Sequence, residues 1–224
     1  MHILWDWNGT LLDDTQAAFD TLNIMLRRRG AAEITMDFYR DRFAFPVRPF
    51  YEAIGVKLEN EDWDALAVEY HDLYAAQPKR LNGETVAALS MAADAGVKQS
   101  IISALRQDLL ERTVVGEYRL GEFFENIYGV DNLDGSSKLE RARELAAKIR
   151  GEGDADLVMI GDALHDKEVA DSLGARCVLC SQGSHTHRRL KRVAPTAKTL
   201  RQAVETALGL RPVQPTVTTE LNVP

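Results

Sequence analysis

The chain has 224 residues, 45% of them hydrophobic and 27% charged, with a formal net charge of -7. That length suits one large domain or a core with a smaller insert, and the composition is that of an ordinary globular protein. The acidic balance argues against a nucleic-acid partner, whose backbone demands a basic face. It leaves an anionic substrate open, because a bound metal ion can reverse the sign of a pocket locally.

In chain order, the first predicted element is a strand over Ile3–Trp5. The apolar run from Met1 to Trp5 ends at Asp6, which is too short for a secretory leader, and no later stretch approaches membrane-spanning length. The expectation is a cytoplasmic protein with no membrane partner. From Thr15 to Lys79 only helical periodicity appears. Phe19, Leu22 and Leu26 mark one helix that stops at Gly30, and Trp63, Leu66, Ala67, Tyr70, Leu73 and Tyr74 mark another. A crossover between neighbouring strands rarely needs so many residues, so 15–79 is expected to be an inserted, all-helical second domain.

Further strands are predicted at Val97–Ile102, Asn126–Tyr128, Leu157–Ile160 and Cys177–Leu179. Between them, Leu139, Ala142, Leu145, Ala146 and Ile149 share one helical face, as do Leu200, Ala203, Val204, Ala207 and Leu208. Gly96 and Gly174 stand where helices should stop. The alternation predicts an α/β fold with a doubly wound, Rossmann-like parallel sheet. Its core would comprise residues 1–14 and 80–210, followed by a loose Pro- and Thr-rich tail over 211–224. Cys177 and Cys180 form a C-x-x-C on a strand, where residues three apart face opposite ways. A disulfide is geometrically poor there, and two buried thiols in a reducing compartment are expected.

Four segments carry chemistry. Asp6 directly follows a buried strand and precedes the Asn8-Gly9-Thr10 turn, so it stands at the carboxyl edge of the sheet, where ligands bind in open α/β folds. Asp and Asn before Gly also begin plain turns. Ser103 closes the strand after Val97; it suits an anion, or a cap on a helix starting near Arg106. Lys138 opens a helix after Gly135-Ser136-Ser137, where the helix dipole disfavours a cation. Gly161-Asp162-Ala163-Leu164-His165-Asp166 delivers two carboxylates to the same edge, a ligand set for a hard cation such as Mg²⁺. Acids at a helix N-terminus also serve the helix itself.

Taken together, these segments resemble the four motifs of the haloacid dehalogenase superfamily, in order and at fitting separations. The stretch 161–170 is especially close, and the likeness is to the helical-capped, phosphoglycolate-phosphatase-like branch. The resemblance covers residues 1–14 and 80–190, with the insert in the place of that family's cap. It implies a Mg²⁺-dependent phosphatase acting on a small phosphorylated metabolite. Asp6 would be the nucleophile and form an aspartyl-phosphate. Asp6, the backbone carbonyl of Asn8 and Asp162 would hold the metal, with Asp166 ligating it or supporting it through water; Ser103 and Lys138 would bind phosphoryl oxygens, and Thr10 would steady the loop after Asp6. Arg48 is read as a surface arginine rather than a substrate contact. The oligomeric state is not legible.

The departure from the family is Asn8. Its phosphatases usually carry Asp there, which protonates the leaving oxygen and then activates water; an amide does neither. General acid–base help is typically worth ~10²–10⁴ in rate, so selectivity for good leaving groups is expected. A phosphotransferase or phosphomutase, or a catalytically impaired module that binds a phosphorylated ligand, are the alternatives. His165 and His185 are weaker candidates for carrying the proton, since no motif places them.

Overall fold

The structure, a computed structural model, describes residues 1–131, 137–153 and 156–209. The expected tail at 211–224, and Gly135 and Ser136 ahead of Lys138, lie outside the described residues.

The chain begins with β1 (His2–Trp5) and the short β2 (Leu12–Asp13), then runs through α1 (Thr15–Arg28), α2 (Met36–Arg42), α3 (Val47–Ala53) and α4 (Trp63–Ala76). It returns through β3 (Arg80–Leu81), α5 (Thr85–Asp94), β4 (Lys98–Arg106), α6 (Gln107–Glu111) and β5 (Asn126–Val130). Next come α7 (Lys138–Gly151), β6 (Leu157–Gly161), α8 (Leu164–Leu173) and β7 (Arg176–Cys180). The last are α9 (His187–Leu190), β8 (Thr196–Ala197) and α10 (Leu200–Ala207). No described helix is long and apolar enough to cross a membrane.

Six strands form one parallel sheet in the order β5-β4-β1-β6-β7-β8. Strand alternation sorts its side chains onto two faces. Ile3, Trp5, Ile101, Val158, Ile160, Val178 and Cys180 pack with α5 and α10. Leu4, Ile102, Met159, Cys177 and Leu179 pack with α7 and α8. Both faces are therefore covered, which is the doubly wound arrangement. The two thiols lie free and buried on opposite faces, and burial pushes both well above the ordinary thiol range.

Three features differ from the sequence expectation. β4 does not end at Ile102; it continues with a register shift to Arg106, so Ser103 sits within the strand. Ser103 therefore caps no helix: α6 starts at Gln107 with no side-chain cap, and the Ser103 Oγ accepts from the Leu105 N–H at 3.1 Å. The edge strand β8 and the antiparallel pair β2–β3 are two residues each, too short for any periodicity to show.

That small pair marks the place where the helical segment leaves and rejoins the sheet. Leu12 pairs with Leu81 and Asp13 with Arg80. Between them, α1–α4 assemble a separate apolar cluster around Leu22, Met25, Leu26, Tyr39, Phe50 and Leu66. Caps set the helix starts: Thr35 accepts from the Phe38 N–H at 3.2 Å, and Asp62 from Asp64 and Ala65 at 2.9 and 3.1 Å.

Candidate active site

β1 and β6 are neighbours in register, with Trp5 opposite Ile160. An acid follows Trp5 directly and follows Ile160 after one glycine. Asp6 donates its N–H to the Ile160 carbonyl at 2.8 Å, and Asp162 follows Gly161. Both carboxylates are thus delivered to the same sheet edge by backbone pairing alone. Asp166 stands in the first turn of α8, where it accepts the N–H groups of Asp162 and Ala163, each at 3.0 Å. Carboxylate oxygens of Asp6, Asp162 and Asp166 lie within 4.8 Å of one another, all buried. Lys138, the first residue of α7, reaches Asp6 at 2.6 Å and Asp166 at 2.7 Å. The Thr10 hydroxyl is shared between Asp6 at 3.4 Å and Asp162 at 3.3 Å.

Burial dominates the electrostatics. It pushes Asp6 well above the usual carboxylate range, opposed by Lys138 and reinforced by the other two acids. It pushes Asp162 up to about 7, helped by Asp166. Asp166 moves the other way: Lys138 and its N–H donors outweigh its burial and hold it below the ordinary value. Lys138 is also buried, but its two carboxylates raise it further into the charged state. When all are ionised, three carboxylates face one ammonium. A buried excess of negative charge lined by hard oxygen donors fits a divalent cation such as Mg²⁺.

Asn8 is held in one orientation. Its Nδ2 donates to Asp14 Oδ2 at 2.7 Å and to the Tyr74 hydroxyl at 3.0 Å, while Tyr74 donates to the same Asp14 oxygen. Because the Asp14 carboxylate accepts from both, the amide edge facing it is the NH₂. The NH₂ is engaged there, and Oδ1 accepts from the Ser103 hydroxyl at 3.4 Å. Asp14 is itself buried, which raises it; donors from Tyr74, Asn8 and Gly9 partly offset that rise. Sequence reasoning missed Asp14 and Tyr74. Asp14 belongs to none of the four motif segments, and Tyr74 looked like a member of a helix stripe.

It also missed Gly183. A Cβ there would lie 2.2 Å from Asp162 Oδ2 and 2.3 Å from the Gly9 carbonyl, so the loop after β7 approaches the acids only without a side chain. That loop also supplies the Ser184 N–H to Asp162.

The acids open into a chamber between the sheet edge and the helical insert. Asp6, Asn8, Ser103, Lys138, Asp162 and Asp166 all line it; Thr10 stands behind the carboxylates and does not. Arg48 is exposed over the Trp63 ring, its Cζ 5.2 Å from the centroid, and is absent from the lining. His165 lines the chamber beside Phe45. His185 does not. Its Nδ1 accepts from the Leu164 N–H at 3.0 Å and its Nε2 donates to the Phe43 carbonyl at 2.8 Å. Burial and Arg189 push it down to about 4, so it is a neutral tie between insert and core.

Among solved structures, the chain is similar to a predicted phosphatase from Clostridium acetobutylicum, at 18% identity and a TM-score of 0.72. The match covers 93% of this chain and 98% of that one. It is similar to the protein tyrosine kinase A of Mycobacterium tuberculosis, at 24% identity and a TM-score of 0.73 over 92% and 97% of the two chains. A predicted phosphoglycolate phosphatase from Haemophilus somnus matches at 13% identity, with a TM-score of 0.66 over 92% and 96%. Structures titled phosphatase and kinase share this architecture, so architecture alone does not choose the chemistry. No curated protein sequence matches the chain. The profile of the haloacid dehalogenase-like hydrolases matches residues 3–180, which takes in Asp6, Lys138, Asp162 and Asp166 together, and the chain belongs to that family.

Proposed function

We propose that the protein is a Mg²⁺-dependent phosphatase that forms an aspartyl-phosphate on Asp6 and acts on a small phosphorylated metabolite with a good leaving group. The observation that carries this reading is the buried cluster of Asp6, Asp162 and Asp166 with Lys138 at one sheet edge. Asp6, Asp162, Asp166 and the backbone carbonyl of Asn8 would hold the ion. Bound there, Mg²⁺ would offset the repulsion between a carboxylate and a phosphate dianion. Asp6 supplies the attacking oxygen. Lys138 and the Ser103 hydroxyl stabilise phosphoryl oxygens, and Thr10 steadies Asp6 and Asp162 from behind. Residues 15–79 act as a cap that excludes water and contacts the rest of the substrate.

Asn8 sets the limit on this chemistry. As an amide, held by Asp14 and Tyr74, it gives no proton to a leaving oxygen and takes none from water. The phosphoenzyme is therefore long-lived, and transfer to a hydroxyl acceptor gains nothing from this, because the acceptor needs the same base as water.

The test is phosphoenzyme formation from acetyl phosphate, followed by mass spectrometry with chelator and with added Mg²⁺. We expect one phosphoryl group on Asp6 with Mg²⁺, none with chelator, and none in Asp6→Asn. Full turnover by Asp6→Asn would sink the nucleophile assignment.

A further inference from the structure

The chamber above the acids has a cavity of about 150 Å³. An apolar cavity of that order in another protein accepts one benzene ring. Its insert-side wall is aromatic: Phe43, Phe45, Tyr51, Trp63, Tyr70 and Tyr74 face it. Several of these rings are already paired at stacking distances. Tyr70 and Tyr74 are 5.9 Å apart and 10° from parallel, Tyr51 and Trp63 are 6.0 Å apart, and Phe43 and Phe45 5.4 Å. Such walls favour a further flat ring by offset or edge contacts.

Charge narrows the choice. Among the described lining residues Lys138 is the single Lys or Arg, and it is held by Asp6 and Asp166 at the phosphoryl end. No second Lys or Arg of the described lining is left to pair with a carboxylate or phosphate on the far end of a substrate; the other basic side chains there are the imidazoles of His71 and His165. The buried Asp14 also lines the chamber and would repel such an anion. Burying an unpaired charge there is costly.

From this geometry we infer that the substrate is an aryl phosphate whose leaving group is one uncharged aromatic ring. The inference rests on the phosphatase reading and names its substrate class. The ring fits the chemistry of Asn8 as well as the walls. Asp6 Oδ attacks phosphorus, the P–O(aryl) bond breaks, and the electron pair departs on a phenolate that takes its proton from solvent. Water then hydrolyses the aspartyl-phosphate to inorganic phosphate and Asp6. A phenol has a pKa near ~10, far below that of an alkyl alcohol, so the first step needs no acid at position 8.

The experiment is calorimetric binding of phenylphosphonate, methylphosphonate and phosphonoacetate to the full chain with Mg²⁺ at pH 8, where an ordinary imidazole is neutral. Turnover of phenyl phosphate and 2-phosphoglycolate is measured in parallel. We expect phenylphosphonate to bind at least about tenfold more tightly than either other ligand, and phenyl phosphate to be the better substrate. Phosphonoacetate binding as tightly as phenylphosphonate, or faster turnover of 2-phosphoglycolate, overturns the class assignment. Phenylphosphonate preference without turnover of any ester supports the class and fails the phosphatase reading instead.

Discussion

Asn8 differs from an aspartate by an NH₂ in place of an oxygen, and the neighbouring residues are arranged around that difference. Asp14 Oδ2 stands 2.7 Å from the amide nitrogen, so Asn8→Asp alone would set two carboxylates at contact. Such a pair does not ionise fully; it shares a proton to higher pH. The double variant Asn8→Asp/Asp14→Asn restores an amide–carboxylate pair with the roles exchanged. We expect it to raise turnover of an alkyl phosphate by ~10²–10⁴, with the single variant gaining less at neutral pH. Steady-state rates on glycerol phosphate decide the point, and a double variant no faster than the parent would refute it.

A second prediction concerns pH. Asp6 and Asp162 are raised in the folded chain, Asp162 to about 7. Asp14 is raised as well, whereas His185, pushed down to about 4, works in the opposite sense below ~6.5. Between about 4 and 7 three raised acids outweigh one lowered imidazole, so the folded state binds more protons than the unfolded state and stability falls as pH rises. Thermal melts of metal-free protein should show Tm declining across that window. Added Mg²⁺ should raise Tm more at pH 8 than at pH 5, because it binds the ionised acids. Asp6, Ser103, Lys138, Asp162 and Asp166 were legible in the sequence because each terminates a strand, lies near a strand's end or opens a helix. The engagement of Asn8 by Tyr74 was not, since it joins residues 66 apart through the fold of the insert.

At the scale of elements, the parallel sheet was readable from five short apolar runs, and both helical faces of α7 and α10 appear as the periodicity predicts. What escaped were the pieces shorter than one period, β2, β3 and β8, together with α2 and α3, whose few apolar residues form no stripe. The loop between β7 and α9 was also silent, because its role lies in backbone proximity rather than side-chain type. It brings Gly183 against Asp162 and Gly9. Gly183→Ala should therefore displace Asp162 while the sheet stays intact. We expect the Mg²⁺ concentration for half-maximal activity to rise by about 10–100-fold, the usual cost of disturbing a ligand's support. Far-UV circular dichroism should be unchanged. An unaltered Mg²⁺ requirement would show that the loop yields without moving the acid.

Across the whole molecule, the sheet edge and the helical insert meet around the chamber and are tied on two sides. Tyr74 reaches Asn8 and Asp14 on one side. On the other, the Phe43 carbonyl accepts from His185 at 2.8 Å and from Arg189 at 2.7 Å. The three tryptophans divide along the same boundary. Trp5 and Trp7 are wholly buried in the sheet's core, whereas Trp63 stands in the chamber wall against Tyr51. The protein thereby carries its own optical probe. Two indoles emit from buried settings away from the chamber lining, Trp5 with its N–H bonded to Gln99, and give a steady background, while the third changes surroundings whenever the chamber fills or empties. Titration with phenylphosphonate should alter the emission intensity and wavelength maximum of the parent chain, and Trp63→Phe should abolish that change. Stopped-flow recording of the same signal would then follow substrate entry and product departure in real time, without a label.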